Sequence, residues 1–112
     1  MKDFFYYFRD KENKPRVTVC LKVDTERGIG AVARGVAICS LSDNPNKKKG
    51  RQIASGRAAR AAFRGNRSYR IARVEAIAAL ESTAEFSTFP VWSKSEFFPE
   101  LTEFEKKLLG LP

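Results

Sequence analysis

The sequence predicts an α+β fold: a small antiparallel sheet of about three or more strands packed against a long basic helix, with a second helix and a short C-terminal helix. Two observations carry this. Residues 17–23 and 32–38 alternate apolar and polar side chains with the period of a strand. After SDNP (residues 42–45) the spacing of small and apolar residues changes to that of a helix. At 112 residues the chain reads as one domain, 1–112.

The aromatic run Phe4–Phe8 is the first strand, and DKENKP (10–15) supplies turn residues. In RVTVCLKV, Val17, Val19, Leu21 and Val23 share one face, with Thr18, Cys20 and Lys22 on the other. AVARGVAICS puts Val32, Val36 and Ile38 on one face, and Arg34 is the exception on that alternation, near a strand start or a partner. Short connections between the three strands imply a meander.

Ser42, Asp43 and Asn44 are helix-capping residue types, and Pro45 suits a first turn, so a helix is expected from about Pro45 to Phe63. Gly50, Ala54, Ala58 and Ala61 form a narrow small-residue stripe, able to lie close to a sheet or to a second copy of itself. Gly50 and Gly56 each cost about 1 kcal/mol relative to alanine, which implies either a close approach to the helix backbone or simple tolerance. RGNRSYR (64–70) reads as a basic loop. A second helix is expected from about Ala72 to Ser82, with Val74, Ile77, Ala78 and Leu80 inward. Thr102 and Glu105 fit a capping box for a final short helix ended by Gly110. Glu96, Glu100, Glu103 and Glu105 read as a solvated face.

Charge is confined. Of 21 basic residues, ten lie between Lys47 and Arg73 with no Asp or Glu among them, and the rest of the chain carries 11 basic against 13 acidic residues. A positive field this local attracts anions. Lys47, Lys48 and Lys49 fall at the helix N-terminus, where free N–H groups and the dipole favour phosphate; a solvated lysine cluster is the alternative. Arg57, Arg60 and Arg64 at i, i+3 and i+7 line one expected solvent-facing stripe, continued by Arg67 and Arg70. Arginine's fork of donors suits phosphate and also stacks on a base. Asn66 and Tyr69 supply an edge reader and a stacking ring. The candidate ligand-binding residues are therefore Lys48, Arg51, Arg57, Arg60, Arg64, Asn66, Arg67 and Tyr69.

Catalytic equipment is sparse. The chain has no histidine, which removes Ser-His and Cys-His nucleophilic pairs and the commonest metal ligand. Two separated cysteines do not make a zinc site, and no GxGxxG or P-loop pattern is present. Non-enzymatic binding, without cofactor or metal, is the expectation. Cys20 and Cys39 read as buried free thiols suited to a reducing cytoplasm, or else as a cross-strand pair that would need oxidising conditions. No apolar run approaches the roughly 20 residues of a membrane span, and a cytoplasmic location is expected.

KPRVTVCLKV followed by ARGVAICSLSDNPNKKKGRQIASGRAARA resembles a phage family of Thoeris anti-defence proteins of the first type, the signal sponges. The likeness covers about Lys2 to Ala62, and its strongest element is the strand–SDNP–basic helix arrangement with GRQIASGRA. The resemblance implies capture of cyclic ADP-ribose isomers or cyclic oligonucleotides without cleavage, by a homo-oligomer with pockets where subunits meet, in the cytoplasm of an infected bacterium. It assigns no binding residue beyond Phe63. The residues alone leave two other readings open: a small cytoplasmic nucleic-acid-binding protein using the basic helix, and an inhibitor that binds another protein through its aromatic tail.

Overall fold

A computed structural model of the chain describes residues 2–24, 31–64, 74–83 and 99–111. Three strands, β1 (Lys2–Arg9), β2 (Pro15–Val23) and β3 (Ala31–Ile38), form an antiparallel sheet in the order β1-β2-β3. They are followed by α1 (Lys47–Arg64), α2 (Val74–Glu81) and α3 (Glu103–Leu108). The predicted meander and the α+β class are both present. Facing pairs such as Tyr6 with Val19 and Val19 with Val36 set the register, and a bulge follows Phe8.

The β1–β2 turn is built around Asp10. Its carboxylate accepts from the amides of Glu12 (2.9 Å) and Lys14 (3.0 Å), and Asn13 takes the left-handed conformation at φ 63°, which asparagine tolerates.

Both faces of the sheet are covered, which the strand alternation did not foretell. Tyr6, Phe8, Val17, Val19, Leu21 and Val36 pack with Leu80 of α2, and Leu101, Leu108 and Leu109 close over them. On the opposite face Cys20, Ala33 and Ala37 meet Ala54, Ala58 and Ala61 of α1. Thr18 and Cys20, expected on the polar side of β2, are therefore buried. The small-residue stripe is what lets α1 lie so close. A methyl at Gly35 would sit 2.1 Å from the Ala54 carbonyl oxygen, and one at Gly50 would sit 2.4 Å from the Thr18 hydroxyl. Gly56 has nothing within 4 Å, so only one of the two helical glycines answers to a close approach.

Arg34 finds its partner 71 residues away. Its guanidinium donates to both carboxylate oxygens of Glu105, through Nε at 2.8 Å and through Nη2, and Nη2 also donates to the Glu100 carbonyl. The Tyr6 hydroxyl donates to the same carboxylate at 2.7 Å. Both charged side chains are fully buried, so Glu105 is not part of a solvated face as expected; Glu100 and Glu103 are exposed. The capping box at Thr102 and Glu105 is formed as predicted. At the other end, Leu111 N–H bonds the Lys106 carbonyl and Gly110, at φ 73°, bonds that of Lys107, a Schellman ending that glycine permits. Glu96, the side chains of Val32, Val74 and Ile77, and the aromatics of residues 86–98 lie outside the described residues.

Candidate anion-binding site

Helix α1 starts two residues later than the sequence suggested, because Asn46 is its cap. The Asn46 side chain accepts from the Lys49 amide at 3.0 Å and its carbonyl from the Gly50 amide at 2.9 Å. Lys47, Lys48 and Lys49 then fill the first turn, with no acidic residue to offset the dipole.

The segment before it is held by one arginine that sequence reasoning missed. Arg16, 7% exposed, donates through Nη1 to the carbonyls of Ser40 (2.6 Å) and Asp43 (2.9 Å), and through Nη2 to Asp10 at 3.0 Å. It ties the β1–β2 turn to the β3–α1 connection. Nothing in the local pattern announces this, since its carbonyl partners lie 24 and 27 residues away. The Lys14 amide, with Arg16 and the Glu12 amide, outweighs burial and holds the Asp10 carboxyl below its ordinary pKa.

Between that connection and α1 lies a cleft of about 440 Å³. Lys49, Gly50 and Ile53 of α1 form one wall, Cys39, Ser40, Asp43, Asn44 and Asn46 another, and Thr18, Ala37 and Ile38 contribute from the strands. Polar groups thus face an apolar patch across a space of small-molecule size. Cys39 lines it and is half-exposed rather than buried; both cysteines are free thiols. Burial pushes the Cys20 thiol, under α1, up to about 12.

The candidate basic residues do not share one face. Arg57 is half-buried and donates through Nη1 to the Val36 carbonyl of β3 at 2.6 Å, so the expected solvent-facing stripe is broken at its first member. Arg60 is exposed, as is Lys48. Arg51 turns to the opposite flank, where Nη1 reaches the Tyr7 hydroxyl of β1 at 3.3 Å. Farther along that flank Ser55 donates to Asp3 (2.8 Å), which also pairs with Lys22. Burial raises the Asp3 pKa, but the bonds from Lys22 and Ser55 outweigh it and leave the carboxyl below its ordinary value. The Arg64 side chain, Asn66, Arg67 and Tyr69 lie outside the described residues.

No family model, curated protein or solved structure matches this chain. The likeness to the signal sponges therefore rests on the quoted residues alone. Among the described residues no group of three or more Cys, Asp or Glu side chains could hold a metal ion, and no helix is long and apolar enough to cross a membrane.

Proposed function

We propose that the chain binds and sequesters a cyclic nucleotide-type signal, a cyclic ADP-ribose isomer or a cyclic oligonucleotide, without cleaving it, and so counters bacterial anti-phage defence. The observation that carries this is the cleft at the β3–α1 junction. Its volume of about 440 Å³ suits a nucleotide-sized molecule. Phosphate oxygens would face Lys49 and the open amides of the first turn of α1, and a base or ribose would lie against Ile53 and Ala37. The division of the basic residues between two flanks favours a compact ligand over a polymer, which needs a continuous track. Homo-oligomer assembly belongs to the same proposal and rests on the family resemblance.

A second reading, binding of single-stranded nucleic acid, draws on Phe63. This ring is 90% exposed near the exposed Arg60, the pairing of aromatic face and cation on which bases stack.

One experiment separates them. Thermal unfolding is followed with cyclic ADP-ribose isomers, cyclic oligonucleotides and short oligonucleotides at low and high salt. A ligand that binds only the folded state stabilises it by about 2.7 kcal/mol at a hundredfold excess over Kd. A shift with one cyclic compound that persists in salt, is reduced by Lys49→Gln and leaves the compound chemically intact supports sequestration. No binding at micromolar concentration removes it, and a shift with oligonucleotides alone that fades with salt supports the second reading.

A further inference from the structure

Three cations converge on one tyrosine at the β1 flank of α1, across the helix from the cleft. Lys47 Nζ lies 4.8 Å from the centroid of the Tyr7 ring and the Arg9 guanidinium carbon 5.7 Å from it, while Arg51 donates to its hydroxyl. Lys47 and Arg51 are one turn apart on the same helix face, where like charges repel. The positive end of the helix adds to the repulsion.

Other buried or half-buried cations on this sheet have acidic partners: Arg16 has Asp10, Lys22 has Asp3, and Arg34 has Glu105. Among the described residues no carboxylate pairs with Arg9, Lys47 or Arg51. Asp10 and Asp3 are engaged elsewhere. The Tyr7 hydroxyl accepts from Arg51, and its own proton has no acceptor among the described residues. The fold therefore gathers three positive charges and a free hydroxyl donor around one tyrosine, with Arg9 braced by its bond to the Asn13 carbonyl at 3.1 Å, and among the described residues supplies no anion there.

We propose that this point binds a phosphate dianion, either free phosphate or the terminal group of a phosphate monoester. Lys47, Arg9 and Arg51 supply the counter-charge and the Tyr7 hydroxyl a directed donor. A tetrahedral dianion has enough charge and oxygens to engage all four groups, whereas a diester carries one negative charge. Cations already occupy the Tyr7 ring, so no base stacks on it and the phosphate group itself is what is recognised. The site is independent of the cleft, and either can fail without the other.

The test is a titration of the ¹⁵N-labelled protein with inorganic phosphate, ionic strength being held constant with chloride. Saturable shifts confined to the amides around Tyr7, Arg9, Lys47 and Arg51 are expected. Arg51→Gln should raise Kd by about tenfold or more, Tyr7→Phe by a smaller factor, and Arg51→Lys should keep part of the affinity. Lys11→Gln, at an exposed lysine of the β1–β2 turn, should change nothing. Methyl phosphate should bind like phosphate and dimethyl phosphate much more weakly. Shifts that fail to saturate, or equal losses from Arg51→Gln and Lys11→Gln, would mean a diffuse field and overturn the proposal. Adenosine 5′-monophosphate distinguishes the sources: tighter binding than phosphate assigns the site to monoesters, equal binding to the free ion. Saturable phosphate binding by a protein that takes up no cyclic nucleotide would refute the cleft reading alone.

Discussion

Two glycine-to-alanine substitutions should act in opposite directions, and the difference measures how tightly α1 is seated. At Gly35 the new methyl would stand 2.1 Å from the Ala54 carbonyl oxygen and 2.4 Å from the Ala58 amide nitrogen. Both are backbone atoms that cannot rotate away. Restoring ordinary contact means lifting α1 by more than 1 Å, with Ala54, Ala58 and Ala61, each fully buried, losing contact together. A radial gap of about 0.5–1 Å already forfeits a quarter to a half of the dispersion energy between facing atoms. Overpacking of a core costs about 1–3 kcal/mol, and backbone-on-backbone collision places Gly35→Ala at the upper end, about 3 kcal/mol. At roughly 4 °C per kcal/mol for a chain of this size, Tm should fall by about 12 °C. Gly56→Ala meets open space and removes a helical glycine, so it should stabilise by up to about 1 kcal/mol. Far-UV circular dichroism during heating, with urea titration to confirm that only the midpoint moves, reads both. A Gly35→Ala protein within about 0.5 kcal/mol of the parent, a typical surface-substitution effect, would refute the packing argument.

Three further outcomes follow from buried groups. Glu105→Gln should lower stability by about 3 kcal/mol or more, because it leaves the Arg34 charge buried without its counter-ion, whereas Glu103→Gln should be neutral; equal urea midpoints for the two would contradict the assigned pairing. Asp3 and Asp10 both have folded pKa values below the ordinary one, so each adds stability above about pH 4 that is lost as pH falls through the lower, folded values. Asp3→Asn should therefore flatten the decline of stability in acid, and an unchanged slope would count against its bonds to Lys22 and Ser55. Native protein at pH 8 should take up one equivalent of iodoacetamide at Cys39, with Cys20 reacting only after unfolding, since its thiol is buried and neutral; simultaneous labelling of both would argue that α1 opens readily.

Local signals were legible and distant partners were not. The alternation of β2, the stripe of Gly50, Ala54, Ala58 and Ala61, and the capping box at Thr102 are written in spacings of two to four residues, and each has its structural counterpart. The sequence marked Arg34 as an exception but could not point to Glu105, whose neighbours in the chain made it look like one more surface carboxylate. Arg16 carried no signal, because its carbonyl partners come from the β3–α1 connection. The basic residues were read as one face from helical spacing. Yet Arg51 and Arg57 point to opposite flanks, and which neighbours they reach depends on how α1 is rotated on the sheet. Periodicity leaves that angle open when small residues allow close packing over a broad arc.

The Arg34–Glu105 pair also imposes an order of events on a nascent chain. The two residues are 71 positions apart, and translation at about 5–20 residues per second makes the second roughly 4–14 seconds after the first. During that interval α1 is already made and able to cover its own side of the sheet. The side bearing Tyr6, Val19 and Leu21 gains Leu80 of α2 but still lacks Leu108 and Leu109, with a cation set among apolar side chains and no counter-ion yet synthesised. A half-clad sheet of that kind exposes apolar surface open to aggregation until the carboxylate arrives.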